Sequence, residues 1–305
     1  MTENKPSLIV RMPNWVGDVV MALPTIYALR DAGIELQLIG KPWMQSLLSE
    51  TKFQMTGLKK SFWETRSAIS QLVPNKTLLL TNSLSSALLS CLAGKKTIGY
   101  KTDHRQLLLV NGLAENHAIH EVEYFWNIAT CAIQTWFPSI DWPAQAAAKI
   151  QLPIAEKDLL RVKQLLVNEN INQDFWLLCP FALGTSKENK SKVWPLWPEF
   201  AQQLENKQLV VCPGIKEEQL CAELVPNARV LAGLNLGEYA ALLSLAQQVI
   251  ANDSGPMHIA AAVNQNTLGI FGVTDPNRTH PWGGDYIGSR DTWPSVKEVL
   301  QKLSD

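Results

Sequence analysis

Short apolar runs recur along the whole chain with helical-period segments between them, which is the rhythm of parallel β-α units. In the first half, Leu8-Ile9-Val10, Leu36-Gln37-Leu38-Ile39-Gly40, Leu78-Leu79-Leu80 and Thr97-Ile98-Gly99-Tyr100 read as strands. Helices are expected at 18–30, from the polar residues Thr81-Asn82-Ser83 through Leu92, and over 120–130, where Val122, Phe125, Trp126 and Ala129 fall at helical spacing. The second half repeats the scheme. Strands are expected at 175–180, 208–212, 229–231, 248–251 and 267–271, and helices at 156–168, 197–205, 217–224, 236–246 and 257–263. Composition breaks between Trp136-Phe137-Pro138 and Pro143, and Lys149-Ile150-Gln151-Leu152-Pro153 reads as an entry strand or linker. The boundary therefore falls within 140–155, giving units of 1–150 and 151–305. The fold class is α/β, two Rossmann-like domains facing each other across a cleft, with ligands expected where the strands end.

The totals narrow the function classes. With 305 residues, 46% of them hydrophobic and 18% charged, the chain suits two ordinary folded domains. A net charge of -1 gives no general attraction for nucleic acid, and no nucleic-acid partner is expected. Residues 1–150 carry 14 Lys or Arg against 11 Asp or Glu, a mild excess that suits an acidic acceptor and is also ordinary variation. The five cysteines lack CxxC spacing and sit mostly in apolar runs, so they read as buried thiols of a reducing compartment, with no structural metal. Before Arg11 the amino terminus offers only Leu8-Ile9-Val10 as an apolar run, too short for a signal peptide or membrane span, so a cytoplasmic location is expected. Neither GxGxxG after the first strand nor GxxxxGK[ST] is present.

Three stretches carry candidate chemistry. The strongest is Asn252-Asp253-Ser254-Gly255-Pro256-Met257-His258, where an apolar strand turns into the alanine-rich run 259–263. The free N–H groups at such a helix mouth hold anions, and Asp253 and Ser254 either cap the helix or also touch a phosphate or sugar. His258 is read equally as a structural histidine or a ligand contact. Arg11-Met12-Pro13-Asn14-Trp15-Val16-Gly17-Asp18 joins the first strand to the first helix. There Gly17 lets a ligand approach the backbone, and Asp18 is either a cap or a general base. The third is Ser191-Lys192-Val193-Trp194-Pro195, preceded by Gly184, Thr185, Ser186 and Lys187, where lysine and hydroxyls suit a diphosphate but equally suit solvated surface. After Gly214, Glu217 or Glu218 could bind a ribose or simply favour a helix start. Gly272-Val273-Thr274-Asp275-Pro276 is expected to complete the donor pocket or to make a plain turn. Residues 53–66 mix bases with Phe62 and Trp63 and suit an anionic lipid surface, a sugar acceptor or an ordinary loop.

Three segments taken in order resemble the bacterial lipopolysaccharide heptosyltransferases, glycosyltransferase family 9, in the manner of heptosyltransferase II. They are Trp15-Val16-Gly17-Asp18-Val19-Val20-Met21, Lys192-Val193-Trp194-Pro195 and the run from Asn252 to Ala262. His120-Glu121-Val122-Glu123-Tyr124 also looks like the family's interdomain segment. The resemblance implies a GT-B architecture and inverting transfer of L-glycero-D-manno-heptose from ADP-heptose to the lipopolysaccharide inner core. It implies an amino-terminal acceptor domain, in which Asp18 is the general base and Asn14, Trp15 and Gly17 border the acceptor. The carboxyl-terminal donor domain would use Lys192, Thr185, Ser186, Asp253, Ser254, Gly255, His258 and Glu217, and its final helix is expected to pack back on the amino-terminal domain. The partners implied are ADP-heptose and Kdo-lipid A or a heptosylated core, with peripheral contact at the cytoplasmic face of the inner membrane. No cofactor or metal is expected, and the chain is expected to be a monomer. Other nucleotide-sugar transferases of this architecture, a sugar-nucleotide epimerase and a non-catalytic binding protein remain as alternatives.

Overall fold

The computed structural model describes residues 5–172, 174–182 and 189–304. The chain divides into two units, Met1–Ala148 and Lys149–Asp305, each built on its own parallel sheet.

The amino-terminal unit runs β1 (Ser7–Arg11), α1 (Val16–Asp31), β2 (Glu35–Gly40), α2 (Met44–Leu47), β3 (Gln54–Gly57), α3 (Phe62–Ser70), β4 (Lys76–Leu79), α4 (Leu84–Leu92), β5 (Lys96–Ile98) and α5 (Glu121–Trp136). Its strand order is β3-β2-β1-β4-β5. The central strand β1 is apolar at Leu8, Ile9 and Val10, all fully buried, because helices cover both faces of a parallel sheet. Packing of α1 against α5 covers one side. A capping box starts α5: His120 Nδ1 accepts from Val122 N at 3.1 Å, and Glu123 reaches back to His120 N at 3.3 Å.

The carboxyl-terminal unit runs α6 (Glu156–Asn168), β6 (Trp176–Cys179), α7 (Trp197–Gln203), β7 (Leu209–Val211), α8 (Glu218–Leu224), β8 (Arg229–Val230), α9 (Leu236–Leu245), β9 (Gln248–Asn252), α10 (Gly255–Val263), β10 (Thr267–Ile270), α11 (Pro276–Thr279), β11 (Asp285–Ile287) and α12 (Val296–Lys302). Its order, β11-β10-β9-β6-β7-β8, is that of a full doubly wound sheet, and the winding reverses between β6 and β9. Trp194, Trp197 and Phe200 fill the core, with ring centroids 5.5 to 5.9 Å apart. The last helix, α12, spends its buried face in this same core through Val296 and Val299. On the other side, α9 opens with a capping box between Asn235 and Glu238, and Arg161 of α6 pairs with Glu238 at 2.8 Å.

Two elements of the sheets have no counterpart in the apolar pattern. Residues 53–66, read as a surface segment or loop, contain edge strand β3 and the start of α3. Edge strand β11 likewise reads as no strand. Both are short, and neither has a fully buried residue, since an edge strand needs no continuous apolar run. The segment at 149–153 forms no strand; its Leu152 N donates to Ala262 O at 3.2 Å.

Candidate active site

At the reversal point of the carboxyl-terminal sheet, β9 ends on Asn252, which is fully buried. Its Oδ1 accepts from Trp194 N at 3.2 Å and from Trp197 Nε1 at 3.1 Å, while its Nδ2 donates to Pro180 O. One amide side chain therefore fastens the loop after β6, the segment at 191–195 and the end of β9. Trp194 Nε1 closes the other side by donating to Pro294 O at 3.0 Å.

Fixing that segment sets Lys192 beside Asp253. Lys192 Nζ lies 3.1 Å from Asp253 Oδ2, with the carboxylate almost wholly buried and the ammonium partly exposed. The next residue, Ser254, is the N-cap of α10 but makes no side-chain cap bond. The amides at the start of α10 thus point their positive dipole end toward the neighbourhood of the lysine. Two buried polar atoms here, Ser254 Oγ and His258 Nδ1, have no hydrogen-bond partner among the described residues. Buried polar atoms ordinarily are paired, so this corner carries hydrogen-bonding capacity suited to a polar ligand.

Burial holds the His258 imidazole far below its ordinary value, at about 4, with Asp253 pulling upward and Lys192 and His280 adding to the depression. His258 is neutral at pH 7. A depressed histidine means that the unfolded chain binds more protons than the folded one between about 6.5 and 4. Its contribution is intact above that window and is lost as pH falls through it, by at most about 1.4 kcal/mol per pH unit. Urea unfolding at a series of pH values is expected to show this slope, and His258→Gln is expected to flatten it. Equal acid slopes in both proteins would contradict the assignment.

The loop after β7 distinguishes the two glutamates. Glu217 is the N-cap residue of α8, and its Oε2 accepts from Gly214 N at 2.7 Å, while Gly214 O accepts from Glu217 N at 2.9 Å. A methyl group on Gly214 would sit 3.0 Å from that carboxylate oxygen. The negative charge also raises the thiols of Cys179 and Cys212, after desolvation, which has the largest effect and brings both to about 12. Glu218 is exposed in the first turn of α8. Glu217 is therefore the carboxylate held in place beside the strand ends.

In the amino-terminal unit the sheet reverses between β1 and β4. Arg11, at the end of β1, is buried; its Nη1 donates to Met12 O and its Nη2 to Asn14 Oδ1 at 2.7 Å. Desolvation lowers its pKa to about 10, which leaves it charged at pH 7. This brace shapes the turn carrying Asn14 and Trp15, both exposed. Trp15 is the N-cap of α1 and makes no side-chain cap bond. Gly17 is buried as the second helical residue, and Asp18, half-buried, is the third.

Beside it, the loop after β4 belongs to a polar network to which sequence reading gave no role. Fully buried Arg105 donates to Thr81 O at 2.5 Å and to Asn82 Oδ1 at 3.4 Å. Asn82 Nδ2 in turn donates to Glu115 Oε1 at 3.0 Å and to Tyr124 Oη at 2.9 Å. The polar residues 81–83 directly after an apolar strand were the available signal.

The remaining stretches do local work. Asp275 caps α11 through Asn277 N at 3.0 Å, and a methyl on Gly272 would overlap the Trp293 ring at 1.8 Å. Thr185 and Ser186 lie outside the described residues. Among the described residues no group of three or more His, Cys, Asp or Glu is placed to hold a metal ion, and no helix is long and apolar enough to cross a membrane.

Two doubly wound units, each with polar residues gathered at its reversal point, form the two-domain α/β fold of GT-B type. Residues 71–303 match glycosyltransferase family 9 (heptosyltransferase), and the chain belongs to that family. It is 26% identical over 286 residues to lipooligosaccharide heptosyltransferase 2 of Campylobacter jejuni, covering 90% of this chain and 83% of the relative. The structure of Escherichia coli ADP-heptose lps heptosyltransferase II matches with a TM-score of 0.78 at 22% identity, over 98% of this chain and 97% of that one. A glycosyltransferase family 9 structure from Veillonella parvula matches with a TM-score of 0.79 at 14% identity, over 100% and 91% of the two chains.

Proposed function

We propose that the chain transfers L-glycero-D-manno-heptose from ADP-heptose to the inner core of lipopolysaccharide, with inversion at the anomeric carbon. The observation that carries this reading is the placing of Lys192 against Asp253 at the mouth of α10, where the sheet reverses. A partly exposed ammonium beside the positive end of a helix suits a diphosphate. The names of the relatives, lipooligosaccharide heptosyltransferase 2 and ADP-heptose lps heptosyltransferase II, support heptose as the sugar.

In this reading the carboxyl-terminal unit holds the donor, with Lys192, Asp253, Ser254, Gly255 and His258 at the diphosphate and sugar and Glu217 at the ribose. Thr185 and Ser186 are assigned there on the family pattern alone. Asp18 in the amino-terminal unit takes the proton of the acceptor hydroxyl as its oxygen forms a bond to the anomeric carbon. The bond from that carbon to the β-phosphate oxygen breaks, and its electron pair leaves with ADP. Lys192 and the α10 amides stabilise the charge that accumulates there. Asn14, Trp15 and Gly17 border the acceptor, Kdo-lipid A or a heptosylated core, at the cytoplasmic face of the inner membrane.

Lys192→Ala tests the donor site. Loss of one charge-assisted contact is expected to weaken ADP binding about ten- to a hundredfold in titration calorimetry. Because the substitution also exposes the diphosphate to an unpaired Asp253 carboxylate, adding Asp253→Asn is expected to restore part of that loss. Full ADP affinity in Lys192→Ala, or tighter binding of UDP than of ADP by the wild type, would reject the assignment.

A further inference from the structure

Five large apolar side chains lie uncovered on one flank of the amino-terminal unit: Leu84, Leu88, Leu92, Leu107 and Val110, at 39, 37, 43, 92 and 55% exposure. The three leucines of α4 fall at i, i+4 and i+8 and so share one face along the whole helix. The opposite face is spent inward through Ser86, Ala87 and Ser90. A 3-10 turn, Arg105–Leu108, packs against α4, with Cys91 Sγ of the helix donating to Leu108 O at 3.1 Å. That contact sets the turn carrying Leu107 against α4, and Val110 follows it, its N donating to Thr97 O of β5 at 2.9 Å.

The neighbouring helix extends the patch and adds charge. Arg66 Nε of α3 donates to Leu92 O at 2.9 Å, and Trp63, 66% exposed, lies one turn before Arg66 on the same side of α3. Residues 59–110 carry seven Lys or Arg besides the buried Arg105, against the exposed Glu64 and Asp103, whose Oδ2 accepts from Leu84 N at 2.6 Å. Four of these bases, Lys59, Lys60, Lys96 and Lys101, are exposed. Exposed bases outnumber exposed acids along 59–110, so an anionic bilayer attracts this segment and takes up the leucines, an attraction that a second copy of the same charge does not offer.

We propose that this flank docks the amino-terminal unit on an anionic lipid bilayer, with α4 along the interface and the bases at the headgroup phosphates. The proposal deepens the glycolipid-acceptor reading and rests on it for its purpose. Because α4 begins directly after residues 81–83 at the end of β4, one end of the stripe borders the amino-terminal crevice. A lipid-linked sugar could enter that crevice while its acyl chains stay in the bilayer.

The test is co-sedimentation of the full chain, without donor, with vesicles of phosphatidylethanolamine and phosphatidylglycerol. Binding is expected there, weakened by added salt and by replacing the lipids with phosphatidylcholine. The double variant Leu107→Glu, Val110→Glu, at sites exposed enough to spare the fold, is expected to bind at least about tenfold more weakly, with unchanged thermal melting. Its transfer to a deacylated, water-soluble acceptor is expected to equal that of the wild type. The proposal is overturned if the wild type ignores these vesicles, if the variant binds them equally, or if the variant loses transfer to the soluble acceptor. Self-association of the wild type that the variant abolishes would likewise overturn it, in favour of a second copy. A wild-type protein that binds the vesicles but transfers heptose to no acceptor would sink the heptosyltransfer reading and leave the docking surface standing.

Discussion

Asp18→Asn is expected to lower turnover by about a hundred- to ten-thousandfold, the range associated with a positioned general base. The substitution keeps the size and shape of the side chain and removes its ability to accept the proton. What makes Asp18 the candidate is its support: the Arg11 brace on Met12 O and Asn14 shapes the turn, and α1 starts so that Asp18 falls in its first turn. In that turn the helix dipole favours a carboxylate. ADP affinity, measured by calorimetry, is expected to be unchanged, because the proposed donor groups lie on the other unit. Single-turnover kinetics with unchanged transfer in Asp18→Asn would remove it from the chemistry. A fall in ADP affinity equal to the fall in rate would instead place it in donor binding.

The largest effect on stability is expected from Asn252→Leu. The leucine approximates the volume of the amide but leaves Trp194 N, Trp197 Nε1 and Pro180 O without their partner in a fully buried site. Each orphaned group costs about 1–3 kcal/mol, so a loss of about 3 kcal/mol or more is expected. For a unit of this size that corresponds to a fall in Tm of roughly 6–12 °C. Asn252→Asp separates the two halves of the role, since a carboxylate can still accept from both tryptophan groups but cannot donate to Pro180 O. It is expected to weaken ADP binding as well, because the segment carrying Lys192 is fastened through this residue. A Tm within a degree or two of the wild type for Asn252→Leu would show that other contacts hold the segment.

Central strands were legible in the sequence because burial on both faces demands continuous apolar runs, as in Leu8-Ile9-Val10 and Val249-Ile250-Ala251. Edge strands β3 and β11 were not, since one side of each meets no neighbour and their residues need not be apolar. The strand-to-helix turn at 252–258 was legible from its polar and glycine residues after a strand. Asn252 stood in that motif without a role, because its partners, Pro180, Trp194 and Trp197, are distant in sequence and meet it only in the fold. The same holds for Lys192 and Asp253, 61 residues apart and 3.1 Å from each other. Arg105 and Glu115 gave no motif, and Asn82 only the polar run 81–83 after a strand, since a buried network is defined by where loops meet rather than by spacing along the chain. Between Glu217 and Glu218 the sequence offered no choice; in the structure Glu217 accepts from Gly214 N and Glu218 is exposed.

In the proposed function, Lys192 is assigned to the leaving diphosphate and Asp18 to the acceptor hydroxyl. The most direct measurement is mass spectrometry of Kdo-lipid A and of a mono-heptosylated core, each incubated with the full chain and ADP-heptose. One heptose added to one of these acceptors, with ADP released in equal amount and the product all but absent with Asp18→Asn, is the expected result. No heptose on either acceptor, together with transfer from a UDP-sugar, would contradict it.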